Sequence, residues 1–564
     1  MKKNPLSVES FQEIMAGNYV YADKTQFIYN MVTTGKQYFL SRPRRFGKSL
    51  LLNTIAALFK GHHDTGAPPE GYFAELWIGK SDYDFTQTYP VIELSMDLDS
   101  ESPELLREDL KEMVRRTADS LELTITGNSP GGLLSDLILK LNRESGKQVV
   151  LLVDEFDSPV SDHVDDIELA KKNRNILKYF YSKLKSSQSL LRFVFVTGVT
   201  HFAFMGLSSG LNQLIDLTLN ANYSGICGFT PEELDIYFKE HLAVTIEIMK
   251  KNRDISQKAT MSDLLDEIRK WYDGYSWDGE VRVLNPCSIL NFINESLFSN
   301  YWIGAYPSMT FLSKYSSRNP LSIIQEEFIP ISDIELNTAE VGKLKPVPTL
   351  FQTGFLTVKE RIRASSSGKA YSLKIPNWEI QCCNYDALLG TLFQLLDWDS
   401  NTALLRLKGA ILERDAQKLT EIFNSLFGGL PSEHHQENES CYHKMVYSYC
   451  RALTDMSLPE RKGAIGNSDL IAVYFNENVY AIFELKFGLA KIDTGAARSR
   501  RDSVESEKTK TEDKINRLLE QLAKEALKAI ENKEYWTPFH TGANKIIKIG
   551  VGVTRRGKCL VLIG

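Results

Sequence analysis

A glycine–lysine–serine loop lies between a short apolar run and an amphipathic helix, and this order restricts the folds open to the chain. Residues 37–41 (QYFLS) are typical of a buried strand, residues 42–47 (RPRRFG) of a loop, and residues 48–59 have helical spacing. A loop that binds phosphate needs a strand before it, backbone N–H groups that point inward, and a helix amino terminus facing the anion. In such a loop Lys48 reaches the β- and γ-phosphates and Ser49 places its hydroxyl on Mg²⁺.

The loop departs from the usual pattern GxxxxGK[ST], because Arg42 stands where the first glycine is expected. Short motifs also occur by chance, and a strand–turn–helix with an exposed lysine is the simplest alternative. The phosphate-binding interpretation therefore needs a second, independent segment. The residues predicted to bind nucleotide around the loop are Arg45, Phe46, Gly47, Lys48, Ser49 and Leu50.

That second segment is residues 149–157 (VVLLVDEFD), a buried strand that runs into acidic residues. Open α/β sheets bind ligands at the carboxyl ends of their strands. Asp154 is predicted to bind nucleotide and hold Mg²⁺ through its water shell, and Glu155 to orient and deprotonate the attacking water. The alternative is a strand that ends in solvated acids at a sheet edge. Together the two segments predict a site for ATP and Mg²⁺, with Lys48 and Glu155 catalytic and Ser49 at the metal.

A third strand-like segment, residues 193–203 (FVFVTGVTHFA), has Thr197 near its tip. Two interpretations stay open: the hydroxyl senses the γ-phosphate as part of the nucleotide site, or it bonds the local backbone. His201, just beyond, is interpreted as a packing residue.

Runs dense in Val, Ile, Leu and Phe alternate with helix-length segments over residues 1–225. This pattern predicts the α/β class, with a parallel sheet covered by helices on both faces. From 226 to 300 the chain turns helical, and Thr230 followed by Pro231 is a typical helix start. Residues 301–400 mix helices with a pair of strands, which predicts a small connecting domain.

Composition limits the partners. The net charge of −6 excludes a polycation, so any contact with nucleic acid requires a local basic surface. The seven cysteines form no CxxC pair, which favours reduced thiols. The sequence shows neither a signal-peptide pattern nor an apolar run long enough for a bilayer, so we expect a cytoplasmic protein without a membrane partner.

Several motifs together resemble the AAA-ATPase-like family, found mostly in bacteria. The resemblance rests on YVYADKT (19–25), SRPRRFGKS (41–49), the VDEFD and FVTGV strands, CGFTPEEL (227–234), WYDGY (271–275), LNPCSILNF (284–292), FQTGFLTVKE (351–360) and IPNWEI (375–380). In this family an arginine at the position of Arg42 is usual. The resemblance implies ATP binding, and hydrolysis by Lys48, Ser49, Asp154 and Glu155. It also implies that residues 23–25 (DKT) lie near the base or ribose, and Pro286 on a lid over the nucleotide.

Members of this family commonly carry a C-terminal domain of the PD-(D/E)XK nuclease superfamily. The resemblance therefore implies four parts: an AAA-like P-loop ATPase domain (1–225), a helical lid (226–300), a winged-helix-like connecting domain (301–400) and an α/β, restriction-endonuclease-like domain (401–564).

The nuclease chemistry needs a divalent metal held by converging carboxylates beside a lysine. Residues 468–475 and 479–487 predict a β-hairpin, in which Glu484 and Lys486 share a face and Asp469 lies opposite. Asp469, Glu484 and Lys486 are the predicted catalytic residues. Glu439, on an amphipathic helix, resembles the superfamily's helix acid and joins Asp469 and Glu484 as a metal ligand. A solvated cross-strand ion pair is the alternative. Residues 490–513 are expected to form a solvated loop or a disordered insert.

The sequence thus predicts an ATPase that gates a metal-dependent nuclease acting on DNA, with RNA as a second possibility. The alternative is an ATP-driven regulatory switch whose inactive C-terminal domain binds nucleic acid or a protein. Ala529 favours this alternative, since relatives often carry glutamine there; Gln521, two turns earlier, is a weak substitute. Assembly into a homo-oligomer stays open.

Overall fold

The chain consists of two compact units in the computed structural model. The structure describes all residues except 62–69, 164, 202–213, 253–254, 303–329, 337–345, 364–368, 396–398, 429–438, 452, 454–456, 459–469, 476–478, 489–500, 533–544 and 555–557. The N-terminal unit comprises Met1–Pro307 and Glu326–Gln381, and the C-terminal unit comprises Ser308–Gln325 and Cys382–Gly564. The four domains drawn from the sequence remain predictions.

A five-stranded parallel sheet forms the centre of the N-terminal unit, as the apolar runs predicted. Its strands are β1 (Gln37–Ser41), β2 (Val91–Ser95), β3 (Val149–Asp154), β4 (Leu191–Gly198) and β5 (Ile215–Asp216), in the order β2-β3-β4-β1-β5. All neighbouring pairs are parallel. Strand β4 therefore lies between the strand that leads into the glycine–lysine–serine loop and the strand that ends in Asp154.

Helices cover both faces of this sheet. They are α1 (Phe11–Ala16), α2 (Thr25–Thr34), α3 (Lys48–Lys60), α4 (Pro103–Ser120), α5 (Pro130–Ser145), α6 (Ser158–Ser161) and α7 (Ile167–Ser182). Apolar residues of α4, α5 and α7 form one buried core with Val194 and Val196 of β4. Phe193 points to the opposite face, where its ring lies 5.3 Å from that of Phe59 on α3. The prediction of an α/β fold with a covered parallel sheet is confirmed for this unit.

The rest of the N-terminal unit is mainly helical. Its helices are α8 (Pro231–Tyr237), α9 (Lys239–Asn252), α10 (Met261–Tyr272), α11 (Pro286–Glu295), α12 (Asp333–Leu336), α13 (Pro346–Thr353) and the start of α14 (Trp378–Leu395). Thr230 and Glu233 form a reciprocal capping box at α8, as the Thr-Pro sequence indicated. A small sheet, β6-β8-β7, is built from β6 (Ile331–Ser332), β7 (Thr357–Arg363) and β8 (Lys369–Lys374).

The C-terminal unit has a mixed five-stranded sheet in the order β13-β12-β11-β10-β9. Its elements are α15 (Ser400–Leu412), α16 (Ala416–Gly428), α17 (Glu439–Arg451), β9 (Ser457–Leu458), β10 (Leu470–Phe475), β11 (Val479–Gly488), α18 (Arg501–Asn532), β12 (Lys545–Thr554) and β13 (Cys559–Ile563). Strands β11 and β12 are parallel, and the other pairs are antiparallel. Strands β10 and β11 pair as the predicted hairpin requires.

Helix α18 overturns one expectation. A solvated loop or a disordered insert was predicted over residues 490–513, but α18 begins at Arg501, so the prediction was wrong for residues 501–513. This stretch is poor in apolar residues yet rich in glutamate and lysine, which favour helix. It continues into a stretch whose Leu519, Ala523, Ala526 and Ile530 are buried. Gly550 of β12 lets this helix approach, since a Cβ there would lie 2.4 Å from the carbonyl oxygen of Ala523.

Within the described part of the chain, no helix combines the length and the apolar character that crossing a bilayer requires.

Candidate nucleotide-binding site

Two residues of the loop before α3 have a left-handed backbone conformation. Gly47 precedes the first residue of α3 with φ of +87°, a left-handed conformation that favours glycine. A Cβ on Gly47 would meet no heavy atom within 4 Å, so the backbone conformation, rather than crowding, calls for glycine. Arg45 also has positive φ, at +67°. The space beside Gly47 is open, and the first N–H groups of α3 have no partners within the helix.

Two side-chain hydroxyl groups converge on the Asp154 carboxylate. The Ser49 hydroxyl donates to one carboxylate oxygen at 2.6 Å, and the Thr197 hydroxyl donates to the other. The sheet register produces this meeting, because Val153 pairs with Val196 and so brings the next residues of β3 and β4 side by side. The sequence left two interpretations of Thr197 open. Its hydroxyl contacts the Asp154 carboxylate, which differs from the predicted bond to the local backbone.

Lys48 is buried beneath the loop. Its Nζ donates to the carbonyl oxygens of Arg42 and Pro43, both at 3.0 Å. Burial lowers the pKa of Lys48, while the nearby Asp154 carboxylate opposes that shift. The alternative interpretation, a strand–turn–helix with an exposed lysine, therefore does not hold at Lys48, because this side chain is buried.

Glu155 has the features of a strained functional carboxylate. Its φ is +53°, a conformation that L residues rarely adopt and that costs of order 1–3 kcal/mol. Burial raises the pKa of Glu155, and the charges of Asp154 and Asp97 raise it further. A raised pKa suits a group that accepts a proton near neutral pH.

Arg42 explains how the loop dispenses with its first glycine. The side chain has no exposed surface, and its guanidinium donates to the carbonyl oxygens of Ser41, Thr218 and Tyr223 at 2.8–3.1 Å. It also lies 3.8 Å from the centre of the Trp277 ring. Burial lowers the pKa of Arg42 to about 10. The arginine thus ties the start of the loop to the segment after β5.

Replacing Arg42 by alanine should lower the free energy of unfolding by about 3 kcal/mol or more, because three buried carbonyl groups lose their donor. Urea unfolding of the variant and the parent protein measures the difference. Arg116→Ala, which removes an exposed arginine paired with Glu112 on α4, is the matched control and should cost less than about 1 kcal/mol. Equal stability of the two variants would contradict the anchoring role.

A cavity of about 700 Å³ adjoins the loop. Arg44–Leu51 form one wall together with Glu155; the other walls come from the amino-terminal segment, the segment before α8, and α11. The residues outside the loop are Pro5, Leu6, Ser7, Val8, Glu9, Ile14, Val20, Tyr21, Ala22, Lys24, Ile226, Cys227, Gly228, Phe229, Pro286, Cys287, Leu290, Asn291 and Tyr301. This volume is in the range of small-ligand and cofactor sites.

The sequence of the chain also matches known proteins. It is 31% identical over 500 residues to a protein of Azotobacter chroococcum mcd 1 described as "Uncharacterized protein in vnfD 5'region", a match that covers 86% of this chain and 89% of the relative. The model of the AAA-ATPase-like family, described as "Predicted AAA-ATPase", matches residues 5–208. The chain belongs to this AAA-ATPase-like family. The matched segment contains the loop, Asp154, Glu155 and Thr197, whereas the resemblance of the C-terminal unit to nucleases stays a prediction.

The predicted loop residues of this AAA-ATPase-like protein lie in the cavity wall. Arg45, Phe46, Gly47, Lys48, Ser49 and Leu50 all line the cavity. The ring of Phe46 packs edge-on against Tyr275 and Trp277, with centroids 4.8 and 5.6 Å away, so this side chain anchors the loop.

Of the residues that the resemblance assigned to the base, the ribose or the lid, some line the cavity and others do not. Lys24 lines the cavity, and its Nζ pairs with Glu233 at 2.6 Å. Asp23 accepts hydrogen bonds from the N–H group and the hydroxyl of Thr25, the first residue of α2. Pro286 lines the cavity at the first turn of α11. Their roles toward the nucleotide remain predictions.

Sequence reasoning missed several residues around this site. Asp157 accepts the N–H groups of Val199 and Thr200 and the Thr200 hydroxyl, which shapes the end of β4. Its position in the DEFD run is a signal that could have found it. The residues of the amino-terminal wall and Tyr301 belong to no sequence motif that indicates a nucleotide site, because segments distant in the chain form that part of the cavity.

The donor atoms at Asp154 suit Mg²⁺. A hard cation prefers oxygen ligands and is usually held by one or two carboxylates together with substrate phosphates. Ser49 and Asp154 supply such oxygens 2.6 Å apart. Among the residues that the structure describes, no group of three or more His, Cys, Asp or Glu side chains is placed to hold a metal ion.

The predicted nuclease residues are described only in part. Glu484 on β11 has no exposed surface, and Lys486 Nζ lies 2.9 Å from its carboxylate. Asp469 lies outside the described residues; its neighbour Leu470 pairs with Glu484. Glu439 begins α17, and its side chain is also outside the description. Gln521 bonds Glu525 at 2.9 Å on the exposed side of α18.

Proposed function

We propose that the N-terminal unit of this AAA-ATPase-like protein binds ATP together with Mg²⁺ and hydrolyses it. One observation carries the proposal: in the first turn of α3 the Ser49 hydroxyl donates to the Asp154 carboxylate, and the adjacent Lys48 has its ammonium group buried beneath the loop. A helix amino terminus, a lysine and a metal-binding pair are the parts that triphosphate recognition needs.

Each group then has a role in the reaction. The N–H groups of the loop and Lys48 bind the β- and γ-phosphates. Mg²⁺, held by Ser49 and Asp154, would neutralise charge on these phosphates. Glu155 accepts a proton from water while the water oxygen bonds to the γ-phosphorus; the bond from that phosphorus to the bridging oxygen breaks, and ADP leaves. Thr197 holds Asp154 in the orientation that metal binding requires.

For the C-terminal unit we propose a metal-dependent phosphodiesterase that acts on DNA and is gated by ATP. Two features support it. Helix α17, the β10–β11 hairpin, α18 and the parallel strand β12 follow in the order expected of the superfamily that this part of the sequence resembles. A fully buried carboxylate is also costly unless a cation compensates its charge, and at Glu484 either Lys486 or a divalent metal can do so.

A regulatory switch with an inactive C-terminal unit is the second candidate. Ala529, which is half-buried on α18, favours it because an alanine supplies no polar atom to water or metal. In that case ATP hydrolysis would change a surface that binds nucleic acid or a protein.

Plasmid nicking by the full-length protein, with and without ATP, tests both units at once. With Mg²⁺ or Mn²⁺ we expect phosphate release from ATP and conversion of supercoiled plasmid to the nicked form at a rate that ATP changes. Glu484→Ala should reduce nicking by about 10²-fold or more, because a metal ligand is lost, and should leave phosphate release intact.

Glu531→Ala is the matched control, since it removes an exposed glutamate paired with Lys548 at 3.5 Å in the same unit. Equal nicking by the parent protein and Glu484→Ala would contradict the nuclease proposal. Phosphate release without nicking under either metal would favour the switch.

A further inference from the structure

The loop before α3 carries three arginines whose surroundings differ. Arg42 donates to buried backbone carbonyl groups. Arg45 donates to the carbonyl oxygens of Tyr301 at 2.9 Å and Trp302 at 3.5 Å. Both therefore hold loop structure. The guanidinium of Arg44 instead pairs with a carboxylate, that of Asp162, at 3.2 Å.

The Arg44–Asp162 pair is open to exchange. About a third of each side chain is exposed, 33% for Arg44 and 35% for Asp162. An ion pair of this kind contributes little net free energy, because water screens the charges. Asp162 also accepts a hydrogen bond from the Ser158 hydroxyl at 2.8 Å, which keeps the carboxylate in position if the arginine leaves.

Arg44 faces the reacting end of the site. It lines the same cavity as Lys48 and Glu155. Its partner Asp162 directly follows the short helix α6, which comes just after Glu155 in the chain, so the pair ties Arg44 to the segment that carries Glu155. A phosphoryl group between Lys48 and a water at Glu155 would therefore lie next to Arg44.

We propose that Arg44 is a catalytic residue, an arginine supplied by the loop itself that leaves Asp162 and binds the γ-phosphoryl oxygens during hydrolysis. This inference rests on the proposed ATPase function. A guanidinium offers a planar fork of donors that matches phosphoryl oxygens, and charge-assisted bonds of this kind are strong. An arginine that neutralises charge on the transferring group accelerates such reactions by about 10³- to 10⁵-fold. Asp162 holds the side chain when no nucleotide is bound.

Hydrolysis and binding measured separately test the proposal. For Arg44→Ala we expect the single-turnover rate of ATP hydrolysis to fall about 10³-fold, while the affinity for ADP stays within about threefold. Binding of ADP with aluminium fluoride, which mimics the phosphoryl group in transit, should be lost. Arg44→Lys should restore little of the rate, because a single ammonium group cannot replace the fork.

Asp162→Asn separates catalysis from a structural role of the ion pair. If Asp162 competes with phosphate for Arg44, the substitution should strengthen ATP binding by about two- to fivefold, the range that an exposed ion pair allows. If the pair serves only to hold the loop, both Arg44→Ala and Asp162→Asn should weaken ATP and ADP binding alike, which would overturn the proposal. Arg116→Ala controls for the loss of an exposed arginine.

The outcomes also separate this inference from the ATPase proposal. Normal hydrolysis by Arg44→Ala would overturn the role of Arg44 and leave the ATPase intact. A parent protein that neither binds nor hydrolyses ATP would overturn the ATPase itself.

Discussion

Replacing Lys48 by alanine should reduce ATP hydrolysis by about 10³-fold or more and weaken ATP binding. The ammonium group lies beneath the loop, 3.0 Å from two carbonyl oxygens, at the amino end of α3. Because this group is buried, its charge acts on the phosphates with little screening by water. Phosphate release and calorimetric titration with ATP measure the two effects.

Lys60→Ala is the matched control, because Lys60 ends the same helix and pairs with Glu93 on the protein surface at 2.5 Å. This variant should bind and hydrolyse ATP like the parent protein. Turnover that survives in Lys48→Ala would refute the assignment of the site.

Replacing Glu155 by glutamine should separate binding from chemistry. Hydrolysis should fall by about 10²- to 10⁴-fold, the usual contribution of a general base. ATP binding should stay close to that of the parent protein, since Lys48, Ser49 and Asp154 are unchanged. Glutamine keeps the shape of the side chain but cannot act as the base. After the variant is mixed with labelled ATP, the nucleotide that it binds should therefore remain ATP and not become ADP. Glu144→Gln, at an exposed position of α5, is the control.

The pH dependence of the ATP hydrolysis rate of the parent protein tests independently whether Glu155 is the base. Glu155 acts as a base only when ionised, and its pKa is raised by burial first and by Asp154 and Asp97 next. The rate should therefore be lost as pH falls through a value above the ordinary pKa of a glutamate, and should be constant above it. The fall of the rate at low pH should be absent in Glu155→Gln. A variant that hydrolyses ATP at the parent rate would exclude Glu155 as the base.

Much of the N-terminal unit could be predicted because its signals are local. Strands β1 to β4 are dense apolar runs, and α3 follows the glycine that its backbone conformation requires. The capping box at α8 is likewise contained in four consecutive residues. Such patterns depend on neighbours in the chain and need no knowledge of the fold.

The prediction failed where local composition and tertiary packing disagree. Residues 501–513 have few apolar side chains, and a loop was expected, yet they extend a helix whose buried residues come later in the sequence. Helices are cooperative, so a packed segment can carry a polar extension that would not be stable by itself. Domain boundaries and the nuclease residues remain predictions, with Asp469 outside the described residues.

The sequence by itself determined the strand, loop and helix around Lys48 and the pair of acids at Asp154 and Glu155. Only the tertiary structure decided that β4 lies between their strands and brings Thr197 to Asp154, and that Arg42 is buried while Arg44 pairs with Asp162. The reason is physical: secondary structure follows from spacing along the chain, whereas strand order and burial depend on contacts between residues more than 100 positions apart.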